Sequence, residues 1–303
     1  MPLTLGGIIP ILVTPFDAAG MIDTASLRRI IDFQLSAGVH GIGVALGSEI
    51  FKLSEVERGD VVRVVVEQVA GRVPVVINTG ANGTDLAIMY SRCAEEAGAD
   101  AVMVMPPSFV APNADETLAY FRAISDAVTI PIVIQDTQTT PVAPALAMRI
   151  GEQCRNARYI KVEGLPLPSR VAQMKAVAGD TLTIFGGAGG DYVLEEFQRG
   201  SVGTMPSCSL PEEFVALWNL SQAGAWDAAE RIFMERILPL NRLASGGFGT
   251  FYHVHKHVLH RRGVITDPTV RAPTTPLDST TMRELDSLLD RLLADPVVLA
   301  GVL

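Results

Sequence analysis

Short runs of apolar, often β-branched residues recur along the first two thirds of the chain, and most of them precede a stretch with amphipathic helical spacing. Runs of this length without strict alternation are typical of parallel strands that are buried on both faces. The eight predicted strands cover residues 7–14, 41–46, 74–79, 101–105, 131–135, 159–163, 182–185 and 202–205. Strand and helix patterns that alternate at intervals of roughly 20–35 residues predict an α/β fold with a parallel sheet.

Eight such units favour a (β/α)8 TIM barrel, an architecture that normally needs about 250 residues. An open, doubly wound sheet is the alternative, and it fits less well because no Gly-x-Gly-x-x-Gly follows the first strand. After residue 210 the strand pattern stops, and helical patterns fill 211–224, 225–242, 250–262 and 280–293. We therefore expect a barrel with the active site over 1–224 and a helical extension packed on it over 225–303.

The composition narrows the classes of protein that this chain can represent. Its 303 residues are 48% hydrophobic, and a net charge of −9 without any basic run argues against a nucleic-acid surface. The three cysteines are widely spaced, so they predict no disulfide framework and favour a reducing, cytoplasmic setting. Residues 1–5 lack the basic start of a signal peptide, and no apolar stretch approaches the roughly 18 residues of a membrane span. We expect a soluble protein without a membrane or nucleic-acid partner.

One lysine is the most informative chemical feature. The chain has four lysines against twenty arginines, and Lys161 lies in an apolar strand between Ile160 and Val162. Strand alternation points Lys161 into the barrel if its neighbours face the helices. A buried, isolated amine loses its proton far more readily than a guanidinium and can then attack a carbonyl. The alternative is an edge-strand lysine whose stem is buried and whose head stays in water.

Two further features lie at predicted carboxyl ends of strands, where TIM barrels carry their reactive groups. Glu163 follows Lys161 by two residues and therefore lies on the same face of the strand. Strand seven ends in a glycine-rich segment that starts at Gly186 and Gly187, which leaves room for a ligand and offers backbone N–H donors to a carboxylate. The same glycines also suit a loop that needs positive φ, and both interpretations stay open.

Four segments resemble the dihydrodipicolinate synthase/N-acetylneuraminate lyase family: residues 7–16, 38–49, 159–163 and 261–265. The landmarks follow the family's order over nearly the whole chain, and Lys161 on its strand is the most specific of them. The resemblance implies a class I aldolase-type barrel in which this lysine forms an imine with pyruvate or another 2-oxo acid. It also implies a homo-oligomer, usually a dimer of dimers, and neither a metal nor an organic cofactor.

The chain departs from the family pattern at the residues that move protons. The family's Gly-Thr-Thr-Gly-Glu after strand two, which relays protons and binds the keto acid's carboxylate, is Ala-Leu-Gly-Ser-Glu here, at 45–49. Gln135 stands where a catalytic tyrosine ends strand five, and Ser108 stands where the second relay tyrosine is expected. Threonines at 139–140 replace the arginine of true dihydrodipicolinate synthases. The resemblance therefore disfavours a role in lysine biosynthesis.

The same departures resemble the sugar-acid dehydratase branch of the family, which eliminates water from 2-keto-3-deoxy acids. The predicted catalytic residues are Lys161, Glu163 and Asp136. The predicted substrate-binding residues are Gly47, Ser48, Gln135, Gly186 and Gly187. Two assignments have structural alternatives: Glu163 as one half of an inter-strand salt bridge, and Asp136 as the cap of the next turn.

The leading prediction is a Schiff-base lyase, either a hydro-lyase or an aldolase, that acts on pyruvate or a sugar-acid-derived 2-oxo acid. A carboxylate beside the lysine favours the hydro-lyase, because Glu163 can move the proton next to the imine carbon. The alternative from another class is a non-catalytic barrel that binds or senses a 2-oxo acid after losing its proton relay.

A histidine-rich stretch in the predicted extension is the remaining candidate site. His253, His257 and His260 share one helical face, and their spacing is compatible with zinc. The stretch contains no acidic residue, and it lies away from the predicted strand ends. We therefore predict a solvated or interface face and no metal.

Overall fold

In this computed structural model the described residues are 4–295 and 297, and nothing is described of the Phe248 side chain. The predictions that concern residues 1–3, 296 and 298–303 lie outside the described residues. Eight strands form one parallel sheet: β1 (Gly7–Ile8), β2 (Ile42–Val44), β3 (Val75–Asn78), β4 (Ala101–Val104), β5 (Ile132–Asp136), β6 (Ala157–Val162), β7 (Thr183–Gly189) and β8 (Gly203–Pro206).

The sheet closes into the predicted barrel. Neighbouring strands follow chain order from β2 to β8, and β1 pairs with β8. A parallel bridge between Ile11 and Gly43 joins the end of the first strand segment to β2. The (β/α)8 prediction is confirmed, and the open doubly wound sheet is wrong. β1 is much shorter than the predicted 7–14, because Pro10 has no N–H to donate to a ladder.

Two apolar layers lie on the two sides of the barrel wall. Inside the barrel, Tyr159, Phe185 and Met205 belong to a small core. Outside it, Ile160 and Val162 join the large core between the strands and the helices. Both faces of each strand are therefore buried, which explains why the strand sequences read as continuous apolar runs.

Eight helices follow the strands: α1 (Thr24–Ser36), α2 (Glu55–Val69), α3 (Thr84–Glu96), α4 (Ala114–Ala127), α5 (Pro144–Gln153), α6 (Ser169–Ala178), α7 (Val193–Gln198) and α8 (Pro211–Gln222). Side-chain caps fix the starts of α2 and α4. Ser54 and Glu57 form a capping box at α2, and Asn113 caps α4. None of the helices within the described residues is long and apolar enough to cross a membrane.

The C-terminal extension consists of α9 (Trp226–Ile232), a π-helical turn, α10 (Leu238–Ala244), α11 (Phe248–Arg261) and α12 (Ser279–Ala294). Buried polar contacts tie α11 to the segment after β2. Glu49 accepts hydrogen bonds from Lys256 at 2.5 Å and from Lys52 at 3.0 Å. The Tyr252 hydroxyl donates to the Leu46 carbonyl at 2.6 Å. These contacts hold the extension against the mouth of the barrel.

Candidate active site

A cavity of about 410 Å³ lies at the carboxyl ends of the strands. Its floor contains Lys161, Glu163 and Gln135, and Gly47 contributes to one wall. The extension contributes Asn241, Ala244, Ser245, Gly247, Phe251 and His255. The helices that we placed away from the strand ends therefore close over the site, and that part of the prediction is wrong.

Lys161 and Glu163 form an ion pair on this floor. Lys161 points into the barrel, is 4% exposed, and has its Nζ 2.9 Å from Oε1 of Glu163. Glu163 follows the last residue of β6 and is only partly buried. The amine is therefore not the isolated ammonium that we expected, because a carboxylate neutralises it and can take up its proton.

Three groups hold the Glu163 carboxylate. Its Oε2 accepts from Nε2 of Gln135 at 3.0 Å, and its Oε1 accepts from the backbone N–H of Ala188 at 3.0 Å. Burial favours the neutral acid, but the charge of Lys161 and these hydrogen bonds outweigh it, so the pKa of Glu163 is lowered. Glu163 is thus ionised at rest and is available as a base.

The Gln135 side chain is oriented by a second amide. Gln135 pairs in register with Lys161 across β5 and β6. Its Oε1 accepts from Nδ2 of Asn78 at 2.9 Å, which turns its amide nitrogen toward Glu163. A hydrogen-bonded chain therefore runs from Asn78 through Gln135 to the ion pair.

Asp136 does not reach the cavity. Its carboxylate is fully buried and makes two hydrogen bonds with Arg170, at 2.6 and 2.8 Å. Its Oδ1 also accepts from the backbone N–H of Val142 at 2.8 Å. Asp136 follows the inward-facing Gln135, so alternation directs it to the helix side of the wall. The structure contradicts its predicted place among the catalytic residues and agrees with the structural alternative.

Gly186 and Gly187 lie within β7, and they make room for other side chains rather than contact a ligand. A Cβ on Gly187 would lie 2.7 Å from Cε of Lys161, so a larger residue there would displace the lysine stem. A Cβ on Gly186 would clash with Glu196, whose Oε1 accepts the Gly187 N–H at 3.2 Å. Neither glycine lines the cavity, and the Gly187 N–H is already bonded to Glu196, so the structure does not support the prediction that these N–H groups bind a substrate carboxylate.

Of the two predicted carboxylate-binding residues after β2, Gly47 lines the cavity and Ser48 does not. Gly47 lines the cavity in a short helical turn, Leu46–Ser48, and the first N–H groups of such a turn have no partner within it. The Ser48 hydroxyl is buried, donates to the Leu12 carbonyl at 2.5 Å and accepts from the Ala45 N–H at 3.1 Å. Ser48 therefore holds the loop, and the structure does not support its prediction as a substrate ligand.

Several cavity residues escaped the sequence-based prediction. Asp191 lines the cavity, and burial raises its pKa to about 6, against a hydrogen bond with Asn241 that lowers it. His255 also lines the cavity, and it lies in the histidine-rich stretch that the sequence singled out. The i, i+4, i+7 spacing in the sequence singled out His253, His257 and His260 instead, which lie on another face of the same helix. No local pattern marks Asn241, because only long-range packing brings α10 to the strand ends.

The three histidines of the predicted helical face serve structural contacts. His253 bonds Thr274, and His257 lies 2.9 Å from Asp286 of α12. His260 contacts the Ile265 carbonyl. An acidic partner therefore exists, but it comes from another helix. No cluster of metal-binding side chains occurs among the described residues.

Comparison with known proteins places this chain in a family. The model of the Dihydrodipicolinate synthetase family matches residues 4–292, and the chain belongs to this family of lyases and aldolases.

The curated relatives carry two different activities. The chain is 30% identical over 302 residues to L-2-keto-3-deoxyarabonate dehydratase of Azospirillum brasilense, covering 97% of this chain and 96% of the relative. It is 31% identical over 294 residues to 4-hydroxy-tetrahydrodipicolinate synthase of Bartonella bacilliformis, covering 94% and 97%. Among solved structures, dihydrodipicolinate synthase from Rhodopseudomonas palustris matches with a TM-score of 0.87 and 29% identity, covering 95% and 98%.

Proposed function

We propose that this protein is a Schiff-base hydro-lyase that removes water from a sugar-acid-derived 2-keto-3-deoxy acid. The observation that carries the proposal is the Lys161–Glu163 ion pair on the floor of the cavity. The pair supplies the two groups that the chemistry needs: an amine that can form an imine, and a base beside it. The same geometry needs no metal or organic cofactor.

Imine formation begins with a proton transfer inside the pair. Glu163 takes a proton from the Lys161 ammonium, and the free amine adds to the C2 ketone of the substrate. The added nitrogen passes a proton to the former carbonyl oxygen. That oxygen then leaves as water with the proton held by Glu163, and an iminium ion stays on Lys161.

In the dehydration step Glu163 again takes up a proton and gives it back, now at C3 and C4 of the substrate. Glu163 removes a proton from C3, which the iminium has made acidic, and an enamine forms. The enamine expels the C4 hydroxyl, which leaves as water with the proton from Glu163. Hydrolysis of the conjugated iminium then frees the product and Lys161. One carboxylate therefore balances both proton transfers.

The walls of the cavity favour this substrate class over that of a dihydrodipicolinate synthase. No tyrosine lines the cavity in the described part of the chain, so the usual relay has no counterpart there. Thr137, Gln138 and Thr139 line the side where the synthases carry an arginine. Neutral hydroxyl and amide groups suit a polyhydroxylated chain. The relationship to a dehydratase of L-2-keto-3-deoxyarabonate supports the same choice.

Trapping with borohydride tests the imine directly. Incubation with pyruvate and borohydride is expected to add one reduced pyruvate to the protein, read by intact mass. The adduct should be absent in Lys161→Ala and present in Lys175→Ala, since Lys175 is exposed on α6 and serves as the matched control. No adduct with any 2-oxo acid in the wild-type protein would refute the Schiff base.

Proton exchange separates the enzyme from a barrel that only binds a 2-oxo acid. In deuterated water the enzyme should replace the methyl protons of pyruvate, which nuclear magnetic resonance detects. It should also dehydrate a 2-keto-3-deoxy pentonate. An adduct without exchange or turnover would favour the sensing protein, and release of pyruvate from a longer acid would favour an aldolase.

The assembly and the location stay predictions. A dimer of dimers follows from the family resemblance, and a cytoplasmic setting follows from the widely spaced cysteines. Light scattering on the purified protein measures the assembly.

A further inference from the structure

His255 lines the cavity but takes no part in the proton transfers proposed above. It lies on α11, is 1% exposed and lines the cavity. Its ring packs edge-on against Phe251, with 4.3 Å between the centroids. Phe251 reaches in turn to Gly47, where an added Cβ would lie 3.6 Å from Cε1 of the ring. His255 therefore lies on the side of the cavity that carries the Leu46–Ser48 turn.

Ser209 determines which nitrogen of this imidazole carries the proton. Oγ of Ser209 lies 2.8 Å from Nδ1 of His255, and Ser209 is fully buried. This nitrogen is the only hydrogen-bond partner of the hydroxyl among residues 4–295. If Nδ1 carried the proton, the hydroxyl hydrogen would be buried without an acceptor, which is costly. The hydroxyl therefore donates to Nδ1, and the proton lies on Nε2.

The ring is neutral and offers one donor. Burial lowers the pKa of His255 to about 3. Nε2 has no hydrogen-bond partner within the described part of the chain, and it lies on the opposite side of the ring from Ser209. The cavity thus gains an N–H donor that needs no counter-ion.

The substrate supplies an acceptor for this N–H. A 2-oxo acid carries a C1 carboxylate, and Lys161 is the only lysine or arginine that lines the cavity among the described residues. Lys161 is consumed in the imine. Leu46 and Gly47 offer backbone N–H groups to this carboxylate but no hydroxyl.

We infer that His255 binds the C1 carboxylate of the 2-oxo acid by donating its Nε2–H, beside the backbone N–H groups of Leu46 and Gly47. Ser209 is the positioning residue that keeps the proton on Nε2. This inference rests on the proposed function, because it assumes that a 2-oxo acid binds at Lys161. It adds a side chain of the extension to the carboxylate contacts that the barrel loop provides.

The test uses the pyruvate concentration that gives half-maximal borohydride trapping. His255→Ala should raise this concentration about tenfold or more, since a hydrogen bond to a charged group is lost. His255→Gln should restore most of the affinity, because its amide nitrogen can occupy the place of Nε2. Ser209→Ala should weaken trapping by a smaller factor, because the tautomer is no longer enforced. Circular dichroism of each variant confirms that the protein is folded.

Methyl pyruvate identifies which part of the ligand His255 contacts. The ester keeps the ketone but lacks the charged carboxylate, so the wild-type preference for pyruvate over the ester should fall about tenfold in His255→Ala. Equal weakening of both ligands, or unchanged trapping of pyruvate, would overturn the inference. If the wild-type protein formed no adduct with either ligand, the proposed function itself would fail, which is a different result.

Discussion

At β5 and β6 the inner and outer faces of the barrel wall each carry one carboxylate, and only the inner one lines the cavity. On the inner face, Glu163 pairs with Lys161 beside the cavity. On the outer face, Asp136 pairs with Arg170 and has no exposed surface. The two acids lie on neighbouring strands, yet the wall separates them. Position relative to the wall therefore decides which acid meets the substrate.

The two carboxylates also differ in their basic partners. Arg170 keeps its proton and holds Asp136 through two parallel hydrogen bonds, a geometry that positions a chain but exchanges nothing. Lys161 has an amine that can give its proton to Glu163 and then form a covalent bond. The same kind of ion pair is therefore a fixed support on one face and, in the proposed mechanism, a reactive pair on the other.

The largest expected effect follows from Glu163→Gln. The variant should lose roughly 10²–10⁴-fold in kcat, because no base takes the C3 proton. Reduced adduct with pyruvate should still form, though more slowly. Stopped assays of dehydration and the rate of methyl proton exchange measure the loss. Exchange at the wild-type rate in this variant would remove Glu163 from the mechanism.

Asp136→Asn should act on stability instead. The change leaves the Arg170 charge buried without its partner, so the free energy of unfolding should fall by about 3–5 kcal/mol. Activity per folded molecule should stay close to that of the wild type. Urea titration measures the first quantity, and assays well below the midpoint measure the second. A stable but inactive Asp136→Asn would return this acid to the mechanism.

Strand alternation already contained the information that separates these acids. Gln135 is expected to face the lysine, and neighbouring residues of one strand face opposite sides, so Asp136 could not share its face. The direction of Lys161 and the same-face position of Glu163 were predictable for this reason, since each depends on a period of two along a strand. The barrel was predictable from a different pattern, the regular recurrence of apolar runs followed by helical spacing. Family resemblance, in contrast, grouped Asp136 with the site because it compares motifs and not faces.

Other features depend on contacts that no local pattern encodes. The Ser48 hydroxyl turns to the Leu12 carbonyl, a partner 36 residues away. His255 and Asn241 reach the cavity only because the extension folds back over the barrel mouth. Helical periodicity indicated that α11 exists, but not which of its faces meets the strand ends. Such placement is set by the packing of whole elements.

A third carboxylate extends the comparison. Glu196 on the outer face has no basic partner within hydrogen-bond reach among the described residues. Burial raises its pKa from 4.5 to about 8, although the Gly187 N–H and Thr204 donate to it. Between pH 5 and 8 the folded protein keeps this proton while the unfolded chain has lost it. The free energy of unfolding should therefore decrease as the pH rises, by roughly 3 kcal/mol.

Glu196→Gln should remove this part of the pH dependence, since the amide does not titrate. Urea midpoints at pH 5, 6.5 and 8 for the variant and the wild type measure the difference. Parallel curves for the two proteins would show that Glu196 does not keep its proton in the folded state.

The smallest expected effect tests how the inner pair is held. Gln135→Met keeps most of the side-chain volume but removes the hydrogen bond to Glu163, which should cost about tenfold in kcat/KM. Because that hydrogen bond helps to lower the pKa of Glu163, the acid limb of the pH–rate profile should move to higher pH. Asn78→Ala should shift the same limb less, since it only frees the Gln135 amide to rotate. An acid limb that stays in place in both variants would mean that Lys161 alone keeps Glu163 ionised. The inner ion pair would then differ from the outer one in its position and not in the hydrogen bonds that hold it.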